Sequence, residues 1–279
     1  MTSTQLSVGI AGIAGLALIV AMAGDFTRDS TAPQKAAAAT IPHEETSSGG
    51  FELDSMTEIE RQMFRAEIRD YLLENPEVIM EAVAILEERE AEQQAHADAR
   101  LVAANAQAIF EDDHSWVGGD PEGDVTLVEF MDYRCGYCRR AAPDVNDLVE
   151  FDGDIRFVIK EFPILGEQSM MASRFAIATK QVAGDEAYKA VHDALIAYKG
   201  EVNETALKRL GETLGLETGP ILDHMDSAKV SEVIASNHQL AQTLGISGTP
   251  SFVMGDRLLR GYMPRKAMED VVSEIRAGG

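Results

Sequence analysis

Two cysteines in 279 residues are too few for a disulfide-stapled scaffold, and a chain this long does not depend on staples. No second cysteine pair exists to complete a structural zinc site. The six histidines (His43, His96, His114, His192, His224 and His238) are scattered without metal-ligand spacing to a carboxylate. Basic residues are also scarce: 24 Lys and Arg face 47 Asp and Glu, a formal net charge of −23. That balance argues against nucleic acid, whose binding needs phosphates neutralised by cations, and against an anionic membrane surface. The expectation is no nucleic-acid partner, no bound metal and no cofactor. Apolar residues make up 45% of the chain, so a sizeable core is available. With only Cys135 and Cys138 present, two residues apart, chemistry between them is the best explanation for the pair.

Long apolar runs are confined to one place, residues 6–23 (LSVGIAGIAGLALIVAMA), which carry no charge. Ala21-Met22-Ala23 fits a signal-peptidase site, although no Lys or Arg precedes the run. The run is also long enough to span a bilayer. Residues 1–24 are therefore read as a signal peptide or a membrane anchor. Either reading places the rest of the chain in a periplasmic or other extracytoplasmic space. Residues 25–50, with Ala36 to Ala39 and Ser47-Ser48-Gly49-Gly50, lack apolar periodicity and read as a flexible linker.

Residues 51–113 read as an acidic helical region. Ser55-Met56-Thr57-Glu58 has the spacing of a capping box, and Met56, Ile59, Met63, Phe64 and Ile68 recur at helical intervals. Asn75-Pro76-Glu77 interrupts the helix and restarts it, Asn75 being a possible cap. The pattern then continues from Val78 to Phe110. So thin a segment cannot bury its apolar faces alone. It packs on the main domain or on copies of itself, and self-association is the favoured expectation.

Residues 114–279 carry the chemistry. A β-rich run at 124–131 (DVTLVEFM) leads straight into Asp132-Tyr133-Arg134-Cys135-Gly136-Tyr137-Cys138-Arg139-Arg140, after which the pattern turns helical. The cysteine pair thus sits where a strand ends and a helix begins. Free N–H groups and the dipole at a helix N-terminus favour a thiolate at Cys135, and Arg134, Arg139 and Arg140 add positive charge. Cys138, one turn on, can close a disulfide with Cys135. Attack of Cys135 on a client disulfide gives a mixed disulfide that Cys138 resolves. A second strand is expected at 155–162, closed by Pro163. A long helical stretch at 167–244 follows, punctuated by Gly184, Gly200 and Gly215, with Asp185 and Asn203 as caps. Then come a strand opened by Thr249-Pro250, a turn at Gly255-Asp256, a partner strand at 257–262 and a helix from Pro264. His114 and Trp116, ahead of the first strand, read as structural.

This order resembles the α/β thioredoxin fold with the helical insertion of DsbA-type thiol–disulfide oxidoreductases, over residues 114–278. The stretch from Arg69 to Val78 (RDYLLENPEV) resembles the N-terminal region of ScsC-like proteins, in which a helical extension drives oligomerisation. The resemblance implies a homo-oligomer, dimer or trimer. It implies that Pro250 is cis and lies against Cys135, and that Thr249 offers its backbone to the client, with Gly136 and Tyr137 completing the substrate-facing surface. It implies that Glu129, six residues before Cys135, relays a proton to or from Cys138. The Gly136-Tyr137 dipeptide departs from the Pro-His of strongly oxidising DsbA. The same CGYC with Thr-Pro occurs in DsbC-like isomerases. The expected activity is therefore disulfide isomerisation on protein clients with disulfides or free thiols, supported by a membrane redox partner, with a DsbA-like dithiol oxidase as the alternative. Two readings from other classes stay open. One is a copper-tolerance protein binding Cu(I) through the two thiolates. The other is a non-catalytic adaptor, which would need neither CxxC nor Thr-Pro.

Overall fold

The computed structural model describes residues 55–278. The apolar run at 6–23 and the linker at 25–50 lie outside the described residues. Among the described residues no helix is long and apolar enough to cross a membrane.

Helix α1 spans Glu58–Glu74. Its start is a capping box, two residues later than expected: Thr57 and Glu60 repeat the Ser/Thr-x-x-Glu spacing that overlaps Ser55 and Glu58. The Thr57 N–H donates to Glu60 Oε2 at 2.8 Å, and Thr57 Oγ1 accepts the Glu60 N–H at 3.4 Å. Asn75 closes α1 rather than opening the next helix, its Nδ2 donating to Tyr71 O at 2.9 Å. Pro76 then precedes α2, Glu77–Ala104. The predicted continuous helix to Phe110 breaks once. Asn105 turns its backbone N–H and side-chain amide onto the last carbonyls of α2, and a short α3 follows, Ala106–Phe110.

Five strands form one sheet in the order β1-β3-β2-β4-β5, with β1 Trp116–Gly119, β2 Val125–Met131, β3 Ile155–Glu161, β4 Ser251–Met254 and β5 Arg257–Arg260. Trp116, expected ahead of the first strand, opens edge strand β1, whose short WVGG run gives little periodicity to read. β2 and β3 run parallel, joined by the crossover helix α4, Gly136–Asp152, and the other pairings are antiparallel. Central β2 is buried on both faces, which explains its nearly unbroken apolar sequence.

On one face Leu127, Phe157 and Phe252 pack with Val145 of α4 and Met268 of α10, Arg265–Gly278. The helical insertion joins that cluster as α5 Glu167–Ala183, α6 Asp185–Ala197, α7 Glu204–Thr213, α8 Thr218–His224 and α9 Ala228–Thr243. On the other face Val128, Phe130 and Val158 pack with Val102 and Ile109, so the end of α2 and α3 supply part of this core. Buried Lys160 is tied to the same segment, pairing with Asp112 and donating to Ala108 O at 2.8 Å. Asn203 caps α7 as expected, accepting the Ala206 N–H at 2.9 Å. Asp185 does not cap α6. Gly184 takes that position with φ 89°, and the Asp185 carboxylate instead meets Lys180 at 3.0 Å.

Candidate active site

Three residues separate the end of β2 from Cys135, and one side chain fixes their path. Asp132 is fully buried and accepts the N–H groups of Arg134 (2.7 Å), Ile164 (2.8 Å) and Leu165 (3.0 Å). A buried carboxylate is tolerable when its oxygens are filled in this way. It clasps the Cys135 loop to the segment after β3. Arg139 reinforces the loop, donating to Tyr133 O at 3.0 Å and to Tyr198 O at 2.8 Å.

Cys135 is the N-cap of α4, with φ −73° and ψ 120°, and its Sγ accepts the Cys138 N–H at 3.4 Å. Both sulfurs are free thiols, Cys135 6% and Cys138 1% exposed. The Cys135 thiol is pulled down to about 5. Hydrogen bonding from the Cys138 side chain is the largest cause; the Thr249 side chain and the N–H groups of Cys138 and Tyr137 add to it, against the opposing effect of burial. The predicted helix-start effect is thus carried mainly by specific hydrogen bonds. Burial pushes the Cys138 thiol the other way, far above its ordinary range, helped by its hydrogen bond to Cys135 and the charge of Glu129. One sulfur is poised as an anion and the other holds its proton.

The Thr249–Pro250 peptide bond is cis. This loop lies against the thiol: Cys135 Sγ donates to Thr249 O at 3.1 Å, a bond open only to the protonated form. Pro250 O accepts the Gly261 N–H at 3.0 Å, which anchors the loop to the end of β5. Gly136 and Tyr137 face outward; Tyr137 is 61% exposed, and a side chain at position 136 would meet nothing within 4 Å.

Glu129 lies in the core of the sheet, opposite Ile159 of β3 and Phe252 of β4. Its carboxyl makes no hydrogen bond to any described residue. Burial, then the charge of Cys135, then that of Glu161 push its carboxyl up to about 8. Glu161 belongs to a cluster the sequence reading missed. Tyr133 and Tyr188 hydroxyls donate to its Oε1 at 2.8 and 2.7 Å, and Ser173 Oγ donates to Oε2 at 2.7 Å. Burial nonetheless raises it to about 7 against those three donors. Strand alternation carried the signal: Ile155, Phe157 and Ile159 share the core face, and Glu161 continues it. His192 joins this cluster through Tyr133, with its Nδ1 3.1 Å from the hydroxyl. Among the described residues no group of three or more His, Cys, Asp and Glu side chains is placed to hold a metal ion.

A strand, a CxxC helix start and a cis-proline loop meeting at one sulfur, on a thioredoxin fold, define the class of thiol–disulfide oxidoreductases. Residues 126–276 match the DSBA-like thioredoxin domain family, and the chain belongs to it. Residues 60–93 match the family described as the copper resistance protein ScsC N-terminal domain. A thioredoxin-like oxidoreductase from Silicibacter pomeroyi is 43% identical, aligned over 62% of this chain and 98% of its own, with a TM-score of 0.59. Proteus mirabilis ScsC in a transitional conformation is 28% identical over 80% of this chain and 100% of its own, with a TM-score of 0.60. Among curated relatives, the Na(+)/H(+) antiporter NhaA 1 of Salinispora arenicola is 30% identical over 167 residues, 60% of this chain and 25% of the antiporter. The chain spans about a quarter of the length of the first curated relatives it matches.

Proposed function

We propose that the chain exchanges disulfides in protein clients outside the cytoplasm, in the direction of isomerisation. Cys135 attacks a client disulfide: its Sγ bonds to one client sulfur, the client S–S bond breaks, and the other sulfur leaves as a thiolate. Cys138 then attacks the mixed disulfide and releases the client, or the client's own thiol does so and Cys135 is regenerated, which is isomerisation. For Cys138 to attack it must lose a proton in a site hostile to charge; once the mixed disulfide forms, the Cys135 charge that opposes ionisation of Glu129 is gone, and Glu129, released to ionise, is the carboxyl that takes that proton. Thr249 and Pro250 present the backbone beside Cys135 to an extended client segment, and Gly136 and Tyr137 form the open lip.

The observation that carries this reading is the asymmetry of the two sulfurs, one drawn toward the thiolate by hydrogen bonds it accepts at the start of α4 and the other buried with its proton held. Isomerisation over oxidation is supported by the Gly136-Tyr137 dipeptide and by apolar side chains left exposed on the extension. On α1 Met63 is 67% and on α2 Met80 is 68% exposed, as suits a surface that pairs with further copies. A membrane redox partner that keeps the cysteines reduced completes the cycle. A periplasmic thioredoxin-like protein from Salmonella enterica serovar Typhimurium, 31% identical to this chain, supports the location.

Refolding of scrambled ribonuclease tests the direction. The expected result is recovery of activity from the scrambled form with reduced protein. Recovery only from reduced ribonuclease with oxidised protein would make the chain an oxidase.

A further inference from the structure

The proposed exchange steps assign no role to Arg134, Arg139 and Arg140, which flank Cys135 and Cys138 in the sequence. On β5 and α10 arginines meet carboxylates, Arg257 pairing with Glu274, Arg260 with Asp98, Arg265 with Glu269 and Arg276 with Asp124, whereas Arg156 on β3 donates to Phe110 O instead. Arg134, Arg139 and Arg140 form no ion pair with any described residue, in a chain holding 47 carboxylate side chains. Their guanidinium groups are nonetheless held in place. Arg134 donates to Gly200 O at 2.9 Å, Arg139 to Tyr133 O and Tyr198 O, and Arg140 lies 4.5 Å from the centroid of the Tyr262 ring. The Asp144 carboxylate, one helical turn beyond Arg140, is engaged by the Tyr262 hydroxyl at 2.8 Å. Asp132 has committed its oxygens to three backbone N–H groups.

Two of these cations stand close enough to oppose each other: burial and the charge of Arg134 both lower the affinity of Arg139 for its proton. Two negative charges offset them, Asp132 and the Cys135 thiolate, and both act on Arg139. The second is transient. When Cys135 bonds to a client sulfur its charge is gone, the departing sulfur having carried the electron pair away. The collar is then left with an excess of positive charge beside the new S–S bond.

We propose that Arg134, Arg139 and Arg140 form a carboxylate-docking collar that favours client segments carrying Asp or Glu beside the reacting cysteine. The proposal rests on Cys135 as the attacking sulfur. A client carboxylate replaces the thiolate charge as the mixed disulfide forms, so it stabilises that state more than the encounter. The chain's overall negative charge repels such a client at long range. At physiological ionic strength that repulsion is screened beyond about 8 Å, and the local cations decide.

The test uses the full reduced chain and three peptide disulfides of one length, differing only in Glu, Ser or Lys on both sides of the cysteine. The readout is the ratio of second-order rates, Glu over Lys, with the Ser peptide as the internal reference for each protein. A ratio of about five or more is expected. It should fall toward one at high salt, in Arg134→Gln/Arg139→Gln, and in Arg140→Gln, whose side chain holds no backbone carbonyl and is the safer variant for folding. A ratio near one in the unaltered chain, or one that persists in both variants, overturns the collar while leaving the thiol chemistry intact. Failure of all three peptides to react would overturn the role of Cys135 and the collar with it.

Discussion

Asp98 near the end of α2 and Arg260 on β5 are joined by two parallel hydrogen bonds, Nη1 to Oδ2 at 2.7 Å and Nη2 to Oδ1 at 2.9 Å. Arg260 stands opposite Ser251 in the β4–β5 register, one residue from Pro250. The helical extension is therefore fastened to the strand that backs the cis-proline loop. Asp98 is held below the usual carboxylate range, first by its bond to Arg260. Its side chain is 6% exposed and that of Arg260 39%. Removing the acid from a half-buried bidentate pair should cost about 1–2 kcal/mol, less than for a fully buried one. Asp98→Ala is expected to lower Tm, and chemical denaturation at several salt concentrations checks it. A loss that vanished at moderate salt would mark the pair as an ordinary surface contact.

The state of Cys135 can be read directly. Alkylation by a neutral reagent follows the thiolate fraction. Because this acid titrates at about 5, below its ordinary 9.0, the rate should rise as pH climbs through 5 and be flat above about 6. Cys138→Ala removes the largest cause of the depression and should move the midpoint up by about a unit or more. It should also trap mixed disulfides, whereas Cys135→Ala should be inert toward them. A wild-type midpoint above pH 8 would remove the basis of the proposed chemistry.

Much of this site was legible in the sequence because it is local. The run from Glu129 to Arg140 reads as strand, turn and helix start without any long-range knowledge, and the Thr249-Pro250 strand announces itself by its proline. Distances along the chain hid the remainder. Tyr133, Glu161, Ser173 and Tyr188 come from four different segments, and only the parallel pairing of β2 with β3 brings Glu161 to the face that Glu129 occupies. Asp132 carries no local signal of its role, because its partners, Ile164 and Leu165, follow the next strand. The overlapping Ser55 and Thr57 capping spacings illustrate a different limit. Both satisfy the same local rule, and the hydrogen bonds of Glu60 decide between them.

Glu129 should cost the fold stability. In the unfolded chain its carboxyl ionises above about 4.5, but in the folded chain it keeps its proton to about 8. Between those values the native state binds more protons, so stability falls as pH rises across the window. At pH 7 the penalty is on the order of 3 kcal/mol at 1.36 kcal/mol per pH unit. Glu129→Gln should therefore melt higher than the unaltered chain at pH 7 and lose the advantage near pH 4.5, while resolving mixed disulfides more slowly. Equal melting temperatures across the range would show that Glu129 does not titrate as described.

The extension should divide into a part that assembles and a part that belongs to the core. Up to residue 93 its apolar side chains are largely exposed, with Ile79 51%, Ile85 48% and Leu86 56% accessible. From Asp98 onward it holds Val102 and Ile109 against the sheet and gives Lys160 its partner. A chain beginning at residue 91 is expected to be a folded monomer by light scattering, with a melting temperature close to that of the full chain's catalytic unit. A chain beginning at residue 114 strips Asp112 and Ala108 from Lys160 and uncovers the core around Val128, Phe130 and Val158. It should melt well below the longer fragment or fail to fold. Two fragments of equal stability would show that residues 91–113 add nothing to the domain, and a full-length monomer would remove self-association from the proposed function.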